Sequence, residues 1–217
     1  AKVAATLDHI SSGRVVLGLG SGWQENEHRQ YGIPFYTVRE RLDRLKEACA
    51  VIKSLFTETT SDYSGRFYQL EGASLEPKPV QQPLPLLIGG GGEKVTLRIT
   101  AQYGDEWNVW GTVDTLKHKM AVLDRHCADV GRDPSSIQRS AVALLFMSND
   151  ESFVKSMRDR NMAQAAIIGS PSQVRDTVAA YEAAGVDELI VPEFTFGPTF
   201  EQKVETLDTF IHEVAGR

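Results

Sequence analysis

The chain has 217 residues, of which 41% are hydrophobic and 24% charged, and a formal net charge of −6. That balance predicts one soluble domain over residues 1–217 with a sizeable core, and charges scattered without a basic run exclude nucleic acid and anionic membrane surfaces as partners. No apolar run approaches the length of a membrane span and no charged-then-apolar leader opens the chain, so the expected compartment is the cytoplasm.

Residues 1–10 have helical spacing that Gly13 can end, and Ala1 stands where an initiator Met would, so the chain is expected to begin inside a larger protein. Residues 14–20 read as a buried strand running into Gly20-Ser21-Gly22, with a loop to Tyr36 behind it. Thr37 and Glu40 have capping-box spacing, and Leu42, Leu45, Cys49, Ile52 and Phe56 recur at steps of three and four. This predicts a long helix covering a sheet with one face. Residues 57–85 carry a Ser64-Gly65 turn and then Pro77, Pro79, Pro83 and Pro85, which predicts a surface excursion holding at most a short hairpin.

Residues 85–88 read as a short strand that ends in Gly89, Gly90, Gly91 and Gly92, followed by a helix over 93–103 that Gly104 can close. Residues 106–110 are the next strand, and Leu116, Met120, Leu123 and Cys127 mark one face of the helix after it. A strand over 141–147 precedes a polar segment. Ser170-Pro171 then supplies a cap and a first-turn proline for a helix with Val174, Val178 and Tyr181. A last strand over 188–194 leads into a helix striped with Phe200, Val204, Leu207, Ile211 and Val214. The pattern is α/β: five strand-then-helix units behind an orphan helix. A closed (β/α)8 TIM barrel takes about 250 residues, so the units fit a barrel lacking its first three strands. An open doubly wound sheet accounts for the same periodicity.

The glycines Gly89, Gly90, Gly91 and Gly92 before a helix are the foremost candidate site. They would let backbone N–H groups approach a cofactor phosphate at a helix N-terminus, or simply permit a tight turn. The run Gly18-Leu19-Gly20-Ser21-Gly22-Trp23 lacks dinucleotide-fold spacing. Its small residues would leave room for a flat ring near Trp23 and Asn26, or form a plain turn. Glu25, Glu27 and His28 are the titratable residues that directly follow a strand end, where barrels keep catalytic groups, and Glu25 and His28 are the candidates for an acid or base. His9, His118, His126 and His212 fall on helices without metal-ligand pairing and are expected to be solvated, and no metal is expected. Cys49 and Cys127 lie on apolar stripes and read as buried thiols. Whichever of Trp107 and Trp110 points inward would wall a pocket or fill the core.

The stretch from Ala1 to Arg14, the run Leu17-Gly18-Leu19-Gly20-Ser21-Gly22-Trp23, and then Tyr31-Gly32, Arg39-Glu40-Arg41, Pro77-Lys78-Pro79, Ile88-Gly89-Gly90-Gly91-Gly92 and Asp105-Glu106-Trp107-Asn108 resemble, in order and spacing, the luciferase-like monooxygenase superfamily. The likeness is greatest to actinobacterial oxidoreductases that use coenzyme F420. The resemblance implies a TIM barrel that holds reduced deazaflavin F420, or alternatively FMN, and exchanges hydride with a small-molecule substrate. It also implies that Gly20, Ser21, Gly22 and Asn26 match the cofactor-side loop and that Gly89 to Gly92 match the phosphate turn, with Glu93 and Lys94 starting the helix there. The family's polar catalytic residue near its second strand and the bulge in its third have no counterpart in this chain. An F420-dependent oxidoreductase is the leading expectation, an FMN-dependent monooxygenase the second, and a catalytically silent ligand-binding relative with an incomplete barrel the third. Family members are often homodimers.

Overall fold

The computed structural model describes residues 1–217 apart from Asn161, Ala163 and Arg217. Helix α1 (Lys2–Ser11) ends where Ser12 turns left-handed at φ 57° and the Gly13 N–H returns to the Asp8 carbonyl at 2.9 Å. Strand β1 (Leu17–Leu19), a short helix α2 (Glu25–Gln30) and the long helix α3 (Val38–Thr57) follow. The cap of α3 is reciprocal: the Thr37 hydroxyl accepts the Glu40 N–H, and the Glu40 carboxylate accepts the Thr37 N–H. The excursion holds an antiparallel hairpin of β2 (Ser61–Ser64) and β3 (Gln69–Ala73). Then come β4 (Leu86–Gly89), α4 (Thr96–Tyr103), β5 (Glu106–Trp110) and α5 (Val113–Asp129). The remaining elements are β6 (Gln138–Val142), β7 (Leu144–Met147), α6 (Glu151–Arg158), β8 (Ala166–Gly169), α7 (Pro171–Ala183), β9 (Glu188–Ile190) and α8 (Phe200–Thr209), which a π-helical turn continues over Phe210–Val214.

The chain divides into two compact units, Ala1–Trp107 with Leu123–Ile137, and Asn108–Val122 with Gln138–Arg217. In the first, β1, β4 and the start of β5 are neighbours in chain order, and β1 pairs parallel with β4 in the register Leu17↔Leu86, Leu19↔Ile88. Its core gathers Ala4, Ala5, Phe56, Leu75, Leu84 and Leu86, and Leu45 and Cys49 of α3 pack against Ile88 and Ile99. Each fully buried leucine, isoleucine or phenylalanine among them contributes about 1.5–3 kcal/mol. The Asp105 carboxylate fastens β4 to α3, since it accepts the Leu86 N–H at 2.9 Å and binds Lys53 Nζ at 2.8 Å. Asp8, fully buried, accepts the Gln81 N–H at 2.9 Å and Gln81 Nε2 at 2.8 Å. Burial opposes its ionisation, but these hydrogen bonds outweigh burial and hold its carboxyl below the usual range.

In the second unit the end of β5, β6 and β9 are again neighbours in chain order, with β6 and β9 parallel, and β7 pairs parallel with β8. In neither unit does the order reverse as a doubly wound sheet would require. The Ser170–Gln173 capping box starts α7, and Tyr181, buried, donates its hydroxyl to the Gly111 carbonyl at 2.9 Å.

Several expectations need correction. Short elements α2, α6 and β8 occupy stretches that read as loop or polar segment. The strand over 141–147 is two, divided at Ala143. Helix α4 begins at Thr96, so Glu93 and Lys94 lie in the turn before it and not in its first turn. The stripe of α8 does not face a core: Phe200 is 76% exposed, and Val204, Leu207 and Ile211 are also exposed, with only Val214 buried. Both cysteines are buried, as their apolar stripes imply, and burial pushes the Cys49 thiol up to about 12.

Candidate functional site

Because β1 and β4 are paired and parallel, their carboxyl ends place the two glycine runs side by side. A Cβ on Gly20 would stand 3.8 Å from the Gly89 carbonyl oxygen, and one on Gly89 would stand 3.7 Å from that of Leu19. These are ordinary van der Waals distances, so the loop after β1 and the turn after β4 lie in contact at one end of the sheet. Gly22 and Gly90, at φ 73° and 123°, hold conformations that side chains disfavour.

The acceptors of the turn after β4 are directed into the protein. The Gly90 carbonyl accepts Trp107 Nε1 at 2.9 Å, the Gly92 carbonyl accepts the Leu97 N–H at 3.0 Å, and the Glu93 carbonyl accepts His126 Nε2 at 2.7 Å. Trp107 is fully buried and so serves the core and the turn together, whereas Trp110 is exposed. His126 is not solvated as the sequence suggests: its Nδ1 is buried, and Asp129 lies 3.9 Å away. No side chain caps α4, in contrast to the capping boxes of α3, α7 and α8. Its first N–H groups therefore lack the side-chain acceptor that its neighbours have.

Against the loop after β1 is a pocket of about 270 Å³ lined by Leu19, Gly20, Ser21, Gly22, His28, Tyr36, Arg41, Arg44 and Tyr68, among others. His28 Nδ1 donates to the Gln24 carbonyl at 2.9 Å, and its ring meets Phe35 edge-on at 4.9 Å. Arg41 donates Nη1 to the Gly22 carbonyl and Nε to the Tyr36 carbonyl at 3.1 Å, tying the glycine loop to α3. Arg44 donates Nε to the Tyr68 hydroxyl at 3.3 Å. Tyr68 is brought there by Glu47, whose carboxylate accepts the N–H groups of Arg66, Phe67 and Tyr68 at 3.0, 2.9 and 3.1 Å.

Of the residues singled out in the sequence, Gly20, Ser21, Gly22 and His28 line this pocket, while Gly89, Gly90, Gly91 and Gly92 form the neighbouring turn. Glu25 pairs with Arg29 at 3.2 Å on the exposed side of α2. Asn26, exposed on the same helix, takes no part in the pocket, and Trp23 is 82% exposed. Sequence reasoning missed Arg41 and Arg44. Their spacing of three places both on one face of α3, the signal that could have found them.

The family profile described as Luciferase-like monooxygenase matches residues 1–155. Over 247 aligned residues the chain is 26% identical to the FMNH(2)-dependent dimethylsulfone monooxygenase of Pseudomonas putida, covering 94% of this chain and 67% of that protein. It is 38% identical over 96 residues to an F420-dependent glucose-6-phosphate dehydrogenase of Kineococcus radiotolerans, covering 44% of this chain and 28% of that protein. The chain thus spans about two thirds of one relative and under a third of the other. The structure of the coenzyme F420 dependent tetrahydromethanopterin reductase from Methanopyrus kandleri superposes with a TM-score of 0.78 at 18% identity, covering 98% of this chain and 77% of that one. That likeness establishes the fold, the parallel α/β architecture of the luciferase-like barrel enzymes. With a profile match over most of its length and the strand order to go with it, the chain belongs to the luciferase-like monooxygenase family.

Proposed function

We propose that this chain holds the cofactor of an F420-dependent oxidoreductase that transfers hydride between reduced F420 and a small organic substrate. The observation that carries the reading is the meeting of the two glycine runs beside the uncapped start of α4. A phosphate seated there would accept from backbone N–H groups, take the place of the missing cap and sit at the positive end of the helix. The turn suits an anion because its Gly90, Gly92 and Glu93 carbonyls are already engaged within the protein. The cofactor, when bound, supplies the hydride chemistry. The chain's own contribution is to hold the phosphate, to keep the loop after β1 narrow enough for a flat ring, and to shield that ring from water. His28, turned into the pocket, is the better placed of the two acid-base candidates, since Glu25 is paired at the surface.

Local identity to the F420-dependent glucose-6-phosphate dehydrogenase supports F420. An FMN-dependent monooxygenase is the second reading, favoured by the alignment with the dimethylsulfone monooxygenase over 94% of the chain. Calorimetric titration of the full-length protein with F420 and with FMN decides between them. Tighter binding of F420 is expected. Preference for FMN would install the second reading, and binding of neither would leave the catalytically silent relative.

A further inference from the structure

We propose that Arg41 and Arg44 make the pocket against the β1 loop a subsite for a phosphoryl or carboxylate group of a ligand, apart from the turn after β4. Most of the neighbouring charges on α3 are taken: Arg39 pairs with Asp43 at 3.9 Å, Glu40 is taken by Arg66 and Thr37, and Lys53 pairs with Asp105 at 2.8 Å. Glu47 is taken by three backbone N–H groups. Among the described residues, neither Arg41 nor Arg44 makes an ion pair, and the terminal nitrogens of Arg44 have no hydrogen-bond partner. Both side chains are half-buried. Two half-buried guanidinium groups lining one pocket, with no carboxylate among its lining residues, favour an anionic guest.

The fork is also fixed before any ligand arrives. Arg41 lies over the Phe35 ring at 4.3 Å and is pinned by the Gly22 and Tyr36 carbonyls. Arg44 lies near the Tyr36 and Tyr68 rings, at 5.4 and 5.9 Å. A fork whose Nε is already engaged presents its remaining N–H groups to two oxygens of one group, the geometry of bidentate carboxylate and phosphate recognition. Size sets the class of guest, because about 270 Å³ falls just below the range of pockets that enclose whole small molecules. The pocket therefore takes one acidic group of a ligand whose remainder lies along the loop of Gly20, Ser21 and Gly22.

The test is titration of the full-length protein with inorganic phosphate and, separately, with glutarate as a dicarboxylate, in the parent, Arg44→Gln and the paired surface control Arg39→Gln. The parent should bind one of the two anions saturably, and which one it binds identifies the source as phosphoryl or carboxylate. Arg44→Gln should weaken that binding at least tenfold with an unchanged circular dichroism spectrum, and Arg39→Gln should not change it. Should Arg44→Gln fold poorly, Arg44→Lys keeps the charge and loses the fork, and it is expected to bind several-fold more weakly than the parent. Absence of saturable binding in the parent, or equal affinity in a folded Arg44 variant, overturns the proposal. Phosphate held at the turn after β4 would be unaffected by Arg44→Gln, so the response to that substitution, and not binding by the parent alone, separates this proposal from the cofactor reading.

Discussion

Gly90 bears the most direct test at the scale of single residues. At φ 123° an alanine is strained, although its Cβ would meet Thr96 Cγ2 only at an ordinary contact distance of 3.5 Å, so Gly90→Ala should reshape the turn through its backbone. The conformational cost is about 1–3 kcal/mol, small enough to leave the domain folded. Displacement of several backbone donors should weaken binding of the preferred cofactor at least tenfold by calorimetry. Unchanged affinity would reduce the glycines to turn formers. Asp8 sets a second expectation, because its carboxyl is held below the usual range. A lowered folded-state pKa means that its stabilisation is fully present above the unfolded value, near 4, and is lost as pH falls through the folded value. Asp8→Asn should therefore lower the melting temperature at neutral pH and flatten the acid limb of the stability curve. An unaltered acid limb would show that the Gln81 contacts do not favour the ionised form. Cys49 completes the set: with its thiol pushed up to about 12 by burial, it should resist iodoacetamide at pH 8 in the native protein and react on unfolding. Rapid native alkylation at Cys49, located by peptide mapping, would contradict that burial.

At the scale of elements, α3 organises its unit through both of its faces. Leu45 and Cys49 pack against Ile88 and Ile99, while Glu47 holds the hairpin turn by three backbone N–H groups. Glu47→Ala should accelerate amide exchange at Arg66, Phe67 and Tyr68 at least tenfold and leave β4 protected. Equal exchange in parent and variant would mean that the hairpin is held by its own pairing. The same helix shows what the sequence discloses. Its capping box and its apolar three-four rhythm are local signals, so α3 and α7 are legible from the chain alone. Helix α2 and strand β8 are too short for a period to declare itself, and α6 is a single polar-flanked run of eight residues. The start of α4 was misplaced because Val95 caps it with no side-chain signature. The site divides in the same way. The glycine runs are visible because consecutive glycines are costly without a reason. Their adjacency depends on the pairing of β1 with β4, and the setting of Arg44 depends on Tyr68 of the hairpin, neither of which local sequence records.

At the scale of the whole molecule, the apolar stripes that rhythm predicted are real, but rhythm does not say what covers them. In one unit α1 leaves Val3 and Ile10 each 75% exposed with Leu7 beside them, and in the other α8 exposes Phe200, Val204, Leu207 and Ile211. The strand order ends on β1 in the first unit and on β9 in the second, and each such edge offers unpaired backbone groups to another chain. Contiguous apolar stripes beside open strand edges drive association through burial and not through charge. The 217-residue chain on its own is therefore expected to self-associate in analytical ultracentrifugation, with the mean mass rising over a roughly hundredfold range of concentration and little altered by added salt. Paired substitutions Phe200→Ser and Val204→Ser should lower that mass without loss of helix, because both side chains already face water. A monodisperse, cooperatively melting monomer across the same range would show that these faces are tolerated exposed. In that case the edges, not the stripes, would become the features whose protection needs a structural account.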